Sequence, residues 1–157
     1  TDKEAWSEMC IIRAWHWTKE DSVRKAIFAA ELVIDVFEKE YPEDDRPRRA
    51  IEAAKTWLEH PTRENSDAAY DAANAAYAIY ATAHTTGTTA HASYSSYAAA
   101  NAAYAVHTAN AVTNASYAVT YAAAAVADGE EILNKIELWH LEHLKNLKPY
   151  VDNTTKT

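Results

Sequence analysis

Cysteine occurs once in the 157 residues, at Cys10, which excludes an internal disulfide framework and any zinc site built from cysteine pairs. Glycine occurs twice and proline four times. Few turns are therefore available, and neither Gly87 nor Gly129 belongs to a phosphate-cradling P-loop or a dinucleotide-binding motif. Positive charge is also scarce: 15 Lys+Arg face 23 Asp+Glu, a net charge of −8, the wrong sign for general binding to nucleic acid or anionic lipid. No run of about 18 apolar residues occurs, so no membrane span is expected. The polar stretch Thr1 to Trp6 is not followed by an apolar segment long enough for a secretory signal, and the chain reads as cytoplasmic. The most unusual absence is internal. From Ala72 through Ala127 there is no Asp, Glu, Lys or Arg.

Alanine, tyrosine, threonine, asparagine, serine, histidine and valine fill that segment instead. Abundant alanine with scattered β-branched residues is a helical composition. The expected fold is all-α: one domain over residues 1–151 with a disordered tail at 152–157, a bundle of about five to seven helices around a central Ala/Tyr-rich helical hairpin. Trp6, Met9, Cys10, Arg13 and Trp17 share a face of a first helix over 2–17. Asp21 or Ser22 caps a second, whose apolar residues Val23, Ile27, Ala30, Ile34 and Phe37 carry it to Tyr41-Pro42. Asp44 and Asp45 cap a third, with Pro47 in its first turn and His60-Pro61 at its end. Asn65 or Ser66 opens the Ala-rich section. A break is expected in the threonines around Gly87, then one helix or two over 90–127, an αL stop at Asp128-Gly129 and a last helix opened by Glu130-Glu131.

A helix with a solvated side normally carries charge there, so the chargeless section is expected to be covered by flanking helices, a second copy or a partner. Its Tyr, Asn, Thr and His groups must then pair with one another, with backbone or with ligand. Tyr70, Tyr77, His84 and His91 recur every seven residues, as do His107, Asn114 and Tyr121, and Asn110 and Tyr117. These seams, with Tyr104, are read either as a satisfied polar core or as the lining of a pocket for a planar ligand.

Other constellations are weaker. His140 and His143, one helical turn apart, offer only two ligands to a metal, and a solvent-facing pair beside Trp139 is expected. Cys10 and His16 fall on opposite helix faces, and His91 or His107 has no nucleophile beside it, so no catalytic residue and no cofactor is assigned. Arg46, Arg48 and Arg49 either lock the turn against Asp44, Asp45, Glu38 and Glu40 or form an anion subsite.

The string Phe37 to Trp57, with Tyr41-Pro42, Asp44-Asp45-Arg46-Pro47-Arg48 and Ala50-Ile51-Glu52-Ala53-Ala54 inside it, resembles a signature of the Imm5-like family of immunity proteins. Ala105 to Ala111, Tyr117-Ala118 and Trp139-His140-Leu141 through Tyr150-Val151 resemble that family's Ala/His-rich helix and terminal segment. The chain departs from the pattern at Asn110, Val112 and Asn114, near a second family histidine. The resemblance implies a small helical protein that neutralises a toxin by binding it. Binding of a protein toxin is thus the leading expectation, with a basic partner suited to the acidic cluster Glu38 to Asp45. The alternative is sequestration of a small anionic, nucleotide-like signal, an anti-defence role, with stacking on the seams and phosphate on the arginines. The candidate binding residues are Arg46, Arg48, Arg49, Tyr77, His84, His91, Tyr104, His107, Asn110, Asn114 and Trp139. A homodimer is expected to cover what the flanking helices leave open.

Overall fold

The computed structural model describes residues 15–86 and 90–147. Among these residues seven helices and no strand form one bundle, as the composition requires. The helices are α1 (Lys19–Glu31), α2 (Ile34–Glu40), α3 (Arg46–Glu59), α4 (Arg63–Thr86), α5 (Ala90–His107), α6 (Ala111–Ala124) and α7 (Gly129–Asn146). The expected first helix lies outside the described residues except at its end, and there it is corrected: residues 15–18 are not helical.

Thr18, not Asp21 or Ser22, is the N-cap of α1. Its hydroxyl accepts from the Asp21 N–H, and the Asp21 carboxylate accepts in return from the Thr18 N–H at 2.8 Å, a reciprocal capping box. The single helix expected up to Tyr41 is two helices. At Val33 the backbone leaves the helix (φ −129°, ψ 0°), and the Val33 carbonyl accepts, besides a 3.0 Å bond from the Val36 N–H, a 2.7 Å hydrogen bond from the buried Ser95 hydroxyl of α5. Neither glycine nor proline marks this break, because its compensation comes from 62 residues away. Thr62, rather than Asn65, caps α4, accepting from the Asn65 N–H.

The core is built around α5, which packs against α1, α2, α3, α4 and α6. Ala98, Ala99, Ala100, Ala102, Ala103 and Ala105 are all fully buried on it. Alanine permits axes to approach toward the ~8 Å end of the usual range. Two buried serines tie α5 to its surroundings: Ser95 to Val33, as above, and Ser96 to the Ala76 carbonyl of α4 at 2.8 Å. No buried side-chain polar atom among the described residues lacks a partner.

Gly129 requires a correction. It is not a left-handed stop but the first residue of α7, behind the Asp128 N-cap that accepts from the Glu131 N–H. Its reason is proximity: a Cβ there would lie 2.6 Å from the Ala123 carbonyl oxygen. Gly129→Ala is therefore expected to destabilise the protein by about 2 kcal/mol, a fall of roughly 4–8 °C in melting temperature. An unchanged melting temperature would mean that the 125–128 turn yields freely.

Candidate functional site

Between residues 92 and 106 on α5, only Tyr94, Tyr97 and Tyr104 are not fully buried. With Asn101 their spacings are three, four and three, which places them in one stripe along the helix. This stripe faces the gap between α4 and α6. Tyr70, Tyr77 and Tyr80 reach over it from α4, and Tyr117 and Tyr121 rise beside it on α6. Tyr97 is the hub: its ring stacks on Tyr80 at 4.2 Å and meets Tyr121 at 4.3 Å and Tyr77 at 5.3 Å. Further along, Tyr70 packs on Tyr104 at 5.8 Å and on His107 at 4.5 Å. The Tyr104 hydroxyl donates to Asn74 Oδ1 at 2.8 Å.

Around Tyr77, Tyr80, Tyr97 and Tyr121 this face carries no charge, and Asp67 beside His107 marks its end. Burial, a hydrogen bond with Tyr121 and the neighbouring phenols push Tyr80 up to about 12. Burial and then Tyr70, Tyr97 and Tyr77 do the same to Tyr104, again to about 12, and burial first of all raises Tyr97. Tyr80, Tyr97 and Tyr104 are therefore neutral hydrogen-bonding groups within a broad aromatic surface. Its outer members remain accessible: Tyr70 is 40%, Tyr77 39% and Tyr117 48% exposed. The chain's own helices cover the chargeless section only in part. Helix α5 is covered, while α4 and α6 each present an uncharged side to solvent through Asn74, Tyr77, Ala78 and Thr82, and through Thr113, Ser116, Tyr117 and Thr120.

The other candidates scatter. His107 ends α5, beside Tyr70 and 3.8 Å from Asp67. The chain breaks before α6, so the seven-residue register from His107 to Asn114 does not run along one helix. Asn114 instead donates to the Thr108 hydroxyl at 2.9 Å and holds that turn. Asn110 is the exposed N-cap of α6, without a side-chain cap bond. His91 is exposed at the start of α5, and the side chain of His84 lies outside the described residues. Arg46 grips Asp44 through two bonds, of 2.9 and 2.6 Å, and Arg48 grips Glu38 through two of 2.7 Å. Both pairs lower the carboxyl values of their acids, chiefly through the hydrogen bonds. Arg49 is exposed on α3. None of the three arginines touches a tyrosine of this face among the described contacts.

A second cluster, where α1 meets α7, corrects the reading of His140 and His143 as solvent-facing. His143 stacks on Trp139 at 4.8 Å and donates from Nε2 to Asp21 Oδ1 at 2.8 Å, and His140 stacks on Trp17 at 4.8 Å. Trp139 in turn lies on Phe28 at 5.3 Å. Burial pushes the Asp21 carboxyl up, but the Thr18 N–H, His143 and the Thr18 hydroxyl outweigh it, and the net value is lowered. A lowered carboxyl contributes stability that is present above its unfolded value of about 3.9 and is lost as pH falls through the folded value. Asp21→Asn is thus expected to cost about 2 kcal/mol at pH 7. That deficit against the parent should shrink steadily in denaturant titrations taken from pH 5 to pH 2; a constant deficit would assign it to packing alone. Sequence patterns missed this cluster because Asp21 and His143 are 122 residues apart.

Among the described residues no helix is long and apolar enough to cross a membrane, and no group of three or more His, Cys, Asp or Glu could hold a metal ion. No curated protein and no solved structure matches the chain. One family does: the profile described as "Imm-5 like putative immunity protein" matches residues 18–147, from the Thr18 cap to the end of α7. That span covers most of the chain, including the arginine-locked turn, the tyrosine face and the Trp/His cluster, and the protein belongs to the Imm5-like immunity protein family.

Proposed function

We propose that this protein neutralises a protein toxin by binding it directly, with the tyrosine face on α4, α5 and α6 as the contact surface. The observation that carries this reading is the combination on one face of accessible phenols and an absence of charge. Tyrosine supplies large contact area at little conformational cost together with a hydrogen-bonding tip, and it is enriched at interfaces and their hot spots, while charged residues are depleted from interface centres. A monomer surface that served only solubility would carry Lys and Glu on the outer sides of α4 and α6. The net charge of −8 favours encounter with a basic toxin. The direct test places a photo-crosslinking residue at Tyr117, and at Leu138 on the outer side of α7 as control, in cells that produce the protein. The captured partner is then purified and titrated. Capture from position 117 but not 138, with loss of the partner's toxic activity at one equivalent of this chain, supports the reading. A captured partner that stays fully toxic in excess chain, or capture from 138 alone, refutes it.

A further inference from the structure

A crevice of about 390 Å³ lies between α1, α6 and α7, away from the tyrosine face. Its described lining is mostly apolar, with the indoles of Trp15 and Trp17, Val112 and Leu144, and its polar members are Lys25, His140, Ser22 and Ser116, the two serine hydroxyls donating to the Thr18 and Val112 carbonyls. Lys25 is the anomaly. It is partly buried on α1, it makes no ion pair or hydrogen bond among the described residues, and burial alone pulls its ammonium below the usual lysine range. Every other lining group is uncharged or a hydrogen-bond donor. His140 is held below its ordinary value by burial, then by Lys25 and His143, against the opposing effect of Glu137. At neutral pH its ring is therefore a neutral one stacked on Trp17, and Lys25 is the single cation among the described lining residues. Glu137 lines a neighbouring recess together with Lys25 and His140, and it forms no ion pair with Lys25 among the described residues.

We infer that this crevice is a binding site for a small planar aromatic carboxylate, whose ring lies among Trp15, Trp17 and Val112 and whose carboxylate meets Lys25 Nζ. The volume stands at the small end of the range for ligand sites, which suits one or two rings. One cation without an arginine fork suits a monoanion rather than a polyphosphate. A desolvated ammonium with no counter-charge among the described residues is costly, and a carboxylate arriving in the crevice offsets that cost where water does so poorly. The crevice adjoins the tyrosine face on α6 at Ser116, but none of its aromatic lining residues belongs to that face, so toxin binding and ligand binding can fail separately.

Isothermal titration of the full chain with indole-3-acetate, and with neutral indole-3-acetamide as its uncharged counterpart, tests the inference. Indole-3-acetate is expected to bind with a Kd below about 1 mM, and the amide roughly tenfold more weakly. Lys25→Met keeps the apolar stem and removes the charge, and is expected to abolish the difference between the two probes. Val112→Trp replaces a residue that is 59% exposed and is expected to weaken both probes by filling the crevice, without disturbing the core. Circular dichroism establishes that each variant is folded; Val112→Trp carries the test if Lys25→Met is not. Equal affinity for acid and amide, an acid–amide difference that survives in folded Lys25→Met, or no binding of indole-3-acetate at millimolar concentrations overturns the assignment.

Discussion

Ala99→Leu is expected to lower the melting temperature by about 10 °C, corresponding to roughly 3 kcal/mol for a chain of this size. The expectation follows from what surrounds α5. Five helices pack on it, and Ala99 and its neighbours Ala98, Ala100, Ala102 and Ala103 have no exposed surface. Alanine sets the distance between these axes, and three added carbons at such a position must either push a neighbour away or adopt a strained rotamer. Leucine and alanine differ little in helix propensity, so the cost is one of packing. The matched control is Ala78→Leu, at an exposed position of α4, where the same substitution is expected to change stability by no more than about 0.5 kcal/mol. Thermal unfolding of the two variants side by side decides the matter. A fall of less than about 3 °C for Ala99→Leu would mean that α5 is loosely held.

Close packing around alanine also explains what could be read in the residues and what could not. The helical class and the bundle followed from composition and from a 3.6-residue period in α1, α3 and α7, whose apolar residues Val23, Ile27, Ala50, Ile51, Ala54, Ile132 and Ile136 are buried as the period requires. The central section has no such contrast. Alanine is indifferent to burial, so the periodicity does not reveal that α5 is enclosed while Ala78 on α4 and Ala124 on α6 face solvent. The break at Val33 was hidden for a related reason: the hydroxyl that stabilises it belongs to Ser95, and nothing local to Leu32-Val33 forbids a continuous helix. At Gly129 the residue type was informative but its cause was misassigned, since the constraint is the nearby Ala123 carbonyl and not a left-handed backbone.

The candidate site was legible as a set of tyrosines but not as a surface. Seven-residue recurrence brings Tyr70 and Tyr77 onto one side of α4. The hub residue Tyr97 is seven residues from Tyr104 on α5, but that spacing alone does not mark it as a hub; the approach of α4 and α6 to α5 does. The arginine string, the most distinctive in the chain, is occupied at Arg46 and Arg48 by bidentate pairing with Asp44 and Glu38. Their guanidinium values are raised, first by those hydrogen bonds. A motif can be specific to a family because it locks a turn, without contacting what the family binds.

Truncating the tyrosine face is expected to have the largest functional effect. The variant Tyr77→Ala/Tyr117→Ala removes one accessible ring from α4 and one from α6, while Tyr80 and Tyr121 continue to pack on Tyr97 of α5. Hot-spot tyrosines cost about 2 kcal/mol each on truncation, so the pair is expected to weaken toxin binding about a thousandfold. The increase should appear mainly in the dissociation rate, because neither ring carries charge that could steer encounter. Tyr77→Phe/Tyr117→Phe keeps the aromatic area and loses only two hydroxyls, and a loss of roughly tenfold to a hundredfold is expected there. Leu138→Ala, at a residue 67% exposed on α7, serves as the control and should leave affinity within about twofold. These three variants separate two explanations of the same aromatic cluster. If the tyrosines exist only to roof an alanine helix, the double alanine variant loses stability but protects against the toxin wherever it is folded. If Leu138→Ala abolishes binding while the tyrosine variants do not, the toxin docks on the leucines of α7. A folded double alanine variant that no longer binds places the toxin on the uncharged face of α4, α5 and α6.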